Sequence, residues 1–315
     1  MSEKIVFMGT PEFAVASLRE LIDQGINVAA VITIPDKPAG RGQQVSESAV
    51  KQFAREKEIP VLQPVSLKDE NFLAELKKIN ADLFVVVAFR MLPESVWSMP
   101  RLGTINLHGS LLPQYRGAAP INWAVINGDS ETGATTFFIE KEIDTGKIID
   151  SVKIKISEID NAGDVHDRLM TEGAKLLAKT VHAIFSGNVK GIDQNEIPHS
   201  ELRPAPKIFK NDCKIIWENS TLANYNKIRG LAPYPAAWTE IVKDDQKKSV
   251  KIFETKKRID GNNHSHKISV EEGSILFGCS DGWLEIIELQ LEGKKRMKAV
   301  EFLNGFNPTS WHLIN

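Results

Sequence analysis

Residues 4–34, KIVFMGTPEFAVASLRELIDQGINVAAVITI, carry the pattern that decides the fold of this 315-residue chain. The first six form an apolar run typical of a buried strand, and residues 28–34 form a second such run. Between them, Thr10 and Pro11 are typical of a helix start, and Gly25 is typical of a helix end. A strand, a helix and another strand at this spacing predict a right-handed βαβ unit and a parallel sheet.

The same alternation of strands and helices continues and predicts a Rossmann-like, mostly parallel α/β sheet. Residues 82–88, DLFVVVA, are the most hydrophobic run, so we expect them in the middle of the sheet. Further strands are expected at 103–107 and 134–139, and the alternating pattern of 148–156 is typical of a sheet edge. The first turn contains the single glycine Gly9, so the G-x-G-x-x-G fingerprint is absent and a nicotinamide cofactor is not expected.

The length of the chain suggests two domains. A long amphipathic helix is expected at 162–186, after which the periodicity is lost and prolines accumulate, as in a linker. Beyond the prolines, short strands and turns predict a small β-barrel of the OB type, a fold that often binds nucleic acid. We therefore expect a catalytic domain at 1–190, a linker at 191–206 and an OB-like domain at 207–315.

Charge and cysteine content limit the partners and the compartment. The net charge is −2, but from Ser200 onward there are 18 Lys and Arg against 15 Asp and Glu, which permits RNA binding without requiring it. The two cysteines, Cys213 and Cys279, lie far apart and predict neither a disulfide scaffold nor a zinc site. No apolar run in the sequence is long enough to span a membrane, so we expect a cytoplasmic protein.

Residues 106–113, NLHGSLLP, join a strand end to polar groups suited to acid–base chemistry. Strand alternation places Asn106 and His108 on one face, and some thirty residues later Asp144 lies in a glycine-containing turn, IDTG. Taken singly, each has a plainer interpretation: a half-buried strand histidine, or an aspartate that forms a turn. An amide, an imidazole and a carboxylate that converge near strand ends favour general acid–base catalysis.

These motifs together resemble the folate-dependent formyltransferases, and the continuation RGAAP at 116–120 is similar to the branch that formylates methionyl-tRNA. The resemblance implies transfer of formyl from 10-formyltetrahydrofolate to the α-amino group of methionyl-initiator tRNA. It implies no metal and no obligate protein partner. It also assigns roles to the polar residues: Asn106 donates to the developing oxyanion, and His108 donates to the same oxygen or moves the proton. Asp144 holds the imidazole in one tautomer or accepts the amine proton through water.

Two loops are expected to face the folate. The loop after the first motif would line the folate channel mainly through its shape and backbone groups, with Ser110, Leu111, Leu112 and Pro113. The loop after residues 82–88 is similar to the folate loop of glycinamide ribonucleotide formyltransferases and comprises Phe89, Arg90, Met91 and Leu92. The tRNA enzymes more often have Tyr-Gly at its first two positions, which leaves the side-chain roles of Phe89 and Arg90 open.

Residues 35–44, PDKPAGRGQQ, combine two prolines and two glycines with two cations. Composition alone is equally consistent with a solvated connection. The resemblance implies a basic, flexible loop that enters the tRNA acceptor arm, with Lys37 and Arg41 on phosphates or unpaired bases. Arg41 is the first choice because its planar guanidinium can both pair and stack.

Two other functions compete with this interpretation. One is formyl transfer to a small amine such as a nucleotide-linked amino sugar, although Gly9, Thr10 and Pro11 form a poor phosphate cradle in the first turn. The other is a non-catalytic RNA-binding protein, against which the intact set of Asn106, His108 and Asp144 argues.

Overall fold

The computed structural model of the chain describes residues 3–39, 44–198 and 201–314. The chain divides into two compact units that interleave along the sequence. The first unit comprises residues 1–117, 132–154 and 167–204, and the second comprises 118–131, 155–166 and 205–315. The consecutive domain boundaries expected from the sequence stay a prediction.

Strands and helices alternate along residues 3–198, as the βαβ pattern predicts. The strands are β1 (Lys4–Gly9), β2 (Asn27–Ile32), β3 (Lys37–Ala39), β4 (Gln44–Ser46), β5 (Val61–Leu62), β6 (Leu83–Val87), β7 (Thr104–His108), β8 (Glu131–Phe138) and β9 (Ile148–Lys155). The helices are α1 (Glu12–Asp23), α2 (Ala49–Glu56), α3 (Glu70–Ile79), α4 (Glu94–Trp97), α5 (Pro120–Ile126) and α6 (Ala162–Phe185).

The first unit is organised by one sheet with the strand order β5-β2-β1-β6-β7-β8-β9. The neighbours from β5 to β7 pair in parallel, and β8 pairs antiparallel with β7. Strand β6 occupies the middle of this order, and all of its residues are buried. The mostly parallel Rossmann-like sheet, the central position of β6 and the edge position of β9 are therefore confirmed.

The start of helix α1 differs from the sequence expectation by one residue. Pro11 is the N-cap, with an extended ψ of 178°, and no side chain caps the helix. The Pro11 carbonyl accepts from the backbone N–H groups of Ala14 and Val15. Thr10 as the N-cap and Pro11 as the first helical residue, the start that these two residue types favour, is therefore wrong, because Pro11 lies before the helix and Glu12 is its first residue.

The carboxyl ends of β6 and β7 meet at one edge of the sheet, and this edge positions the candidate site. The two strands run parallel, with Val86 opposite Asn106 and Val87 opposite Leu107. The loop that follows β6 therefore begins beside the end of β7, where His108 lies. Open α/β sheets bind their ligands at this edge.

At the amino ends of the central strands, the Asp82 side chain links β1 to the segment before β7. Its carboxylate accepts from the Lys4 backbone N–H at 2.9 Å and from Arg101 Nε at 2.7 Å. These contacts hold the pKa of the Asp82 carboxyl below its ordinary value, and the hydrogen bond from the Lys4 backbone has the largest effect. Because this pKa is lower in the folded chain, the stabilisation is present above the unfolded pKa of about 3.9 and is lost as the pH falls through the folded pKa.

We expect Asp82→Asn to lower the free energy of unfolding at pH 7 by on the order of 1 kcal/mol, because one charge-assisted acceptor is lost. The difference from the unmodified chain should shrink as the pH falls below the pKa of the unfolded aspartate. Urea unfolding at a series of pH values measures both effects. Asp23→Asn, on the exposed end of α1, serves as the control. An equal cost of Asp82→Asn at acidic and neutral pH would contradict the electrostatic origin.

The second unit contains an antiparallel sheet around its own core. Its strands are β10 (Ala237–Lys243), β11 (Gln246–Ile259), β12 (Ile268–Glu271), β13 (Ser274–Cys279), β14 (Gly282–Leu291), β15 (Met297–Lys298) and β16 (His312–Ile314), and its later helices are α7 (Thr221–Leu231) and α8 (Ala299–Gly305). The strand order is β12-β13-β14-β11-β10-β16, with β15 beside β14. Trp217, fully buried, lies in the core of this sheet. This arrangement agrees with the predicted OB-like domain. A tight hairpin joins β13 to β14, with Cys279 opposite Gly282 and with Ser280 and Asp281 in the turn.

Among the residues that the structure describes, no helix combines the length and the apolar character that crossing a membrane requires.

Candidate active site

His108 is the last residue of β7, and its side chain is 7% exposed. Its Nε2 atom lies 2.9 Å from the carbonyl oxygen of Tyr115. Because a carbonyl only accepts, Nε2 carries a proton and donates it to this bond. The backbone of the following loop therefore sets the tautomer, which was one of the two roles expected of Asp144. The Nδ1 atom is then the unprotonated ring nitrogen, which can accept a proton.

Asp144 faces that second ring nitrogen. Its Oδ2 atom lies 3.8 Å from His108 Nδ1 and accepts a 2.9 Å hydrogen bond from the backbone N–H of Gly117. A separation of 3.8 Å is longer than a hydrogen bond, and it becomes an ion-pair distance when the imidazole is protonated. The structure thus brings together the imidazole and the carboxylate that lie 36 positions apart in the sequence.

The turn that carries Asp144 has an unusual backbone. Asp144 has φ of 55°, in the left-handed region where aspartate is one of the few tolerated side chains. Two residues later, a Cβ on Gly146 would lie 1.7 Å from the Phe138 carbonyl oxygen, so only glycine fits there. In this turn the Asp144 carboxylate faces His108.

Asn106 precedes His108 by two residues on β7, so strand alternation gives both side chains the same face of the sheet. Asn106 is only partly buried. Its side chain makes no hydrogen bond to any residue in the described part of the chain. Its amide is therefore available as a donor beside the imidazole.

The loop after β6 is anchored by its own side chains. Leu92 is buried in the core of the first unit, and Phe89 packs against that core. Arg90 donates to the carbonyl oxygens of Pro64 and Val65. Burial lowers the pKa of the Arg90 guanidinium below its ordinary value. The Arg90 side chain thus holds two neighbouring loops together.

A cavity of about 800 Å³ lies between these two loops. Its lining comprises Val65, Ser66, Leu67, Lys68, Arg90, Met91, Leu92, Pro93, Glu94 and Ser95. Val65 and Met91 are 84% and 73% exposed, which is unusual for apolar side chains. The size suits a small organic ligand, and the lining combines exposed apolar side chains with two cations, Lys68 and Arg90, and one carboxylate, Glu94.

The loop after His108 uses most of its side chains internally. Ser110 is fully buried and donates to the Gln114 carbonyl at 2.6 Å, while Leu112 and Pro113 are also buried. Leu111 is half-buried. Contacts from this loop to a ligand would therefore come from its backbone and shape, as the sequence analysis expected, and its folate-lining role stays a prediction.

Two family models match the chain. The model described as formyl transferase matches residues 3–181, and the model described as formyl transferase, C-terminal domain, matches residues 207–307.

The chain belongs to the formyltransferase family.

Two relatives resemble this formyltransferase over nearly its whole length. The Methionyl-tRNA formyltransferase of Bacteroides thetaiotaomicron is 54% identical, across 99% of this chain and 98% of its own length. That of Parabacteroides distasonis is 55% identical, with the same coverage of both chains.

A solved formyltransferase structure shares the architecture at much lower identity. The N-formyltransferase from Helicobacter canadensis, in complex with folinic acid and dTDP-3-aminofucose, has a TM-score of 0.64 and 21% identity. The match covers 94% of this chain and 100% of that one. At such identity the likeness shows the fold alone.

The two cations expected to contact tRNA fall partly outside the described structure. Lys37 is the first residue of β3, and its side chain is exposed. Strand β3 pairs antiparallel with β4, with Lys37 opposite Ser46. Arg41 lies outside the described residues of this formyltransferase, and its role stays a prediction.

Sequence reasoning missed two residues that complete the site. The Tyr115 backbone orients His108, and no sequence pattern reports a carbonyl contact. Gln194, 2% exposed, donates to the carbonyl oxygens of Asp144 and Gly146. Gln194 lies in the stretch interpreted as a linker, and a single buried glutamine outside periodic structure leaves no pattern to detect.

Proposed function

We propose that this formyltransferase transfers the formyl group of 10-formyltetrahydrofolate to the α-amino group of methionyl-initiator tRNA, which gives N-formylmethionyl-tRNA for translation initiation. The observation that carries the proposal is identity above 50% to proteins named Methionyl-tRNA formyltransferase, extending through both units. The paired imidazole and carboxylate at the strand edge support the chemistry.

The site residues divide the reaction between them. As the methionyl amine attacks the formyl carbon, the carbonyl oxygen becomes negative, and the Asn106 amide donates to it. A proton must leave the attacking nitrogen and reach the departing folate nitrogen. His108 accepts and delivers this proton at Nδ1, because Nε2 is already bonded to Tyr115. Asp144, 3.8 Å from Nδ1, stabilises the imidazolium that forms in between.

The cavity beside the Phe89–Leu92 loop is where this chain would hold the folate, which supplies the formyl group. Met91 and Val65 offer apolar surface to a flat aromatic system. Arg90 and Lys68 outnumber the single carboxylate of Glu94 and leave a net positive charge for an acidic tail. The cavity volume of about 800 Å³ lies within the range of ordinary small-molecule sites.

The OB-like unit carries cations next to aromatic rings, which suits RNA. Lys207 Nζ lies 5.4 Å from the ring of Phe209, which is 61% exposed. Lys210 and Lys214 lie 5.8 and 5.0 Å from the ring of Trp238. Aromatic platforms flanked by cations bind unpaired bases and phosphates, which supports a tRNA-binding role for the second unit.

We expect Arg41→Ala to weaken use of charged tRNA by about 1–3 kcal/mol in kcat/KM, because a phosphate contact and a base stack are lost. Arg41→Lys should recover part of this loss, since a point charge replaces the phosphate contact but not the planar stack. The measurement is kcat/KM across a salt series, together with folate affinity, which should not change. Arg55→Ala, on the exposed face of α2, is the control. Full activity of Arg41→Ala at every salt concentration would mean that the loop is only a connection.

The proposed activity is tested by incubating the purified chain with 10-formyltetrahydrofolate and methionylated initiator tRNA. Release of N-formylmethionine on alkaline hydrolysis is the expected result. Absence of this product with folded protein would overturn the proposal.

Both cysteines, Cys213 and Cys279, are free and buried, which agrees with the cytoplasm as the compartment.

A further inference from the structure

Gln194 opens a short 3-10 helix, Gln194–Glu196, that follows helix α6. Asp193 caps this helix by accepting from the Asn195 backbone N–H at 2.9 Å. The Gln194 side chain turns inward and is 2% exposed, whereas the neighbouring Asn195 is exposed. Burying a polar group to this degree costs free energy unless its hydrogen bonds are satisfied.

Each polar atom of the Gln194 carboxamide has an unambiguous partner. Oε1 accepts from Arg116 Nε at 3.0 Å and Nη2 at 2.6 Å. Nε2 donates to the carbonyl oxygen of Asp144 at 2.9 Å and to that of Gly146 at 2.8 Å. Arginine only donates and a carbonyl only accepts, so the carboxamide has one possible orientation.

These contacts hold the Asp144 turn from two sides. Gln194 fixes the backbone carbonyls on either side of Thr145, and the Gly117 N–H fixes the Asp144 carboxylate. Arg116 and Gly117 are consecutive, so one short segment reaches the turn both through Gln194 and directly. Asp144 has φ of 55°, a conformation that needs surrounding contacts to persist.

We propose that Gln194 is a positioning residue for formyl transfer, which acts by holding Asp144 opposite His108. The inference rests on the proposed function, since the consequence of positioning is measured as turnover. Gln194 itself touches neither reactant. Its effect passes through the Asp144 backbone to the carboxylate that faces Nδ1 of His108.

The chemistry of the position requires an amide. Gln194→Glu keeps the size and the pairing with Arg116 but turns an oxygen toward two carbonyl oxygens, which repel it. Gln194→Met keeps a similar shape but leaves those carbonyls and the Arg116 guanidinium without their partner. Both changes remove the hydrogen bonds to the Asp144 turn, the first by repulsion and the second by loss of the donor.

We expect either variant to lower kcat for formyl transfer roughly 10²-fold, the effect of displacing a catalytic group by about 1 Å. KM for the formyl donor and for charged tRNA should change little, because Gln194 contacts neither. Asn195→Met at the adjacent exposed position is the matched control and should retain the unmodified kcat. Thermal unfolding of all three variants separates loss of the fold from loss of positioning.

The decisive test is a double-mutant cycle with Asp144→Asn. If Gln194 acts through Asp144, then Gln194→Met should lower kcat much less in the Asp144→Asn background than in the unmodified chain. A full, additive loss in that background, or kcat of Gln194→Glu and Gln194→Met within about twofold of the unmodified chain, would overturn the proposal.

A second readout does not need turnover. The ¹⁵N signals of the His108 ring should move in the same direction in Gln194→Met as in Asp144→Asn, and should not move in Asn195→Met. Unmoved signals in Gln194→Met would also overturn the positioning role. If the unmodified chain does not formylate charged tRNA, the proposed function fails, and these signals still decide whether Gln194 positions Asp144.

Discussion

His108→Ala is expected to lower kcat for formyl transfer by about 10²–10⁴-fold, the range for loss of a positioned proton-transfer group. The imidazole sits at a strand end with Nε2 committed to the Tyr115 carbonyl and Nδ1 facing Asp144. Alanine removes the nitrogen that we propose to move the proton, and it should leave the backbone pairing of β7 with its neighbours in place. Asp144→Ala should also abolish most turnover, because the imidazolium loses its counter-charge.

The measurement is single-turnover formylation at matched concentrations of folded protein, with circular dichroism as the check on folding. His182→Ala, on the exposed surface of helix α6, is the matched control and should leave the rate unchanged. Near-normal formylation by His108→Ala or by Asp144→Ala would show that the pair does not act in catalysis.

Asn106→Ala is expected to lower kcat by about 10²–10³-fold, the cost of removing one oxyanion donor. Its amide has no hydrogen-bond partner within the described residues, so its bond to the reacting oxygen would form mainly in the transition state. The affinity for tRNA should therefore change much less than the rate. Weakened tRNA binding at unchanged kcat would contradict this role.

The isosteric change Asn106→Asp sharpens the same test. It keeps the size of the side chain but presents a negative charge to the developing oxyanion. We expect its rate to be at least as low as that of Asn106→Ala. A faster rate for the aspartate than for the alanine variant would mean that the side chain acts by filling space.

The fold was predictable where burial imposes a local pattern. Strand β6 lies at the centre of the sheet, and its unbroken apolar run reported this directly because both faces of a central strand are covered. A hairpin near Asp281 and Gly282 was predictable because these residue types favour a tight turn, and the turn itself falls at Ser280 and Asp281. In both cases the structural requirement, burial of a strand or a tight turn, acts on a few consecutive residues, so those residues reveal it in the sequence.

The site was predictable in its residue types and only partly in its geometry. The motifs and the family resemblance indicated that Asn106, His108 and Asp144 act together, and the structure places the last two 3.8 Å apart. Their catalytic roles stay a prediction. The Tyr115 carbonyl and the Gln194 carboxamide could not be predicted, because each contact joins segments through backbone groups that are identical in every residue. The interleaving of the two units depends on long-range packing in the same way.

The central claim is tested most directly by comparing two acceptors with one donor. The purified chain is given 10-formyltetrahydrofolate with either methionylated initiator tRNA or a dTDP-linked amino sugar, and kcat/KM is measured for each. Formylation of the charged tRNA, with no detectable turnover of the sugar, is the predicted result. A higher kcat/KM for the sugar, or no formylation of the tRNA by folded protein, would contradict the account.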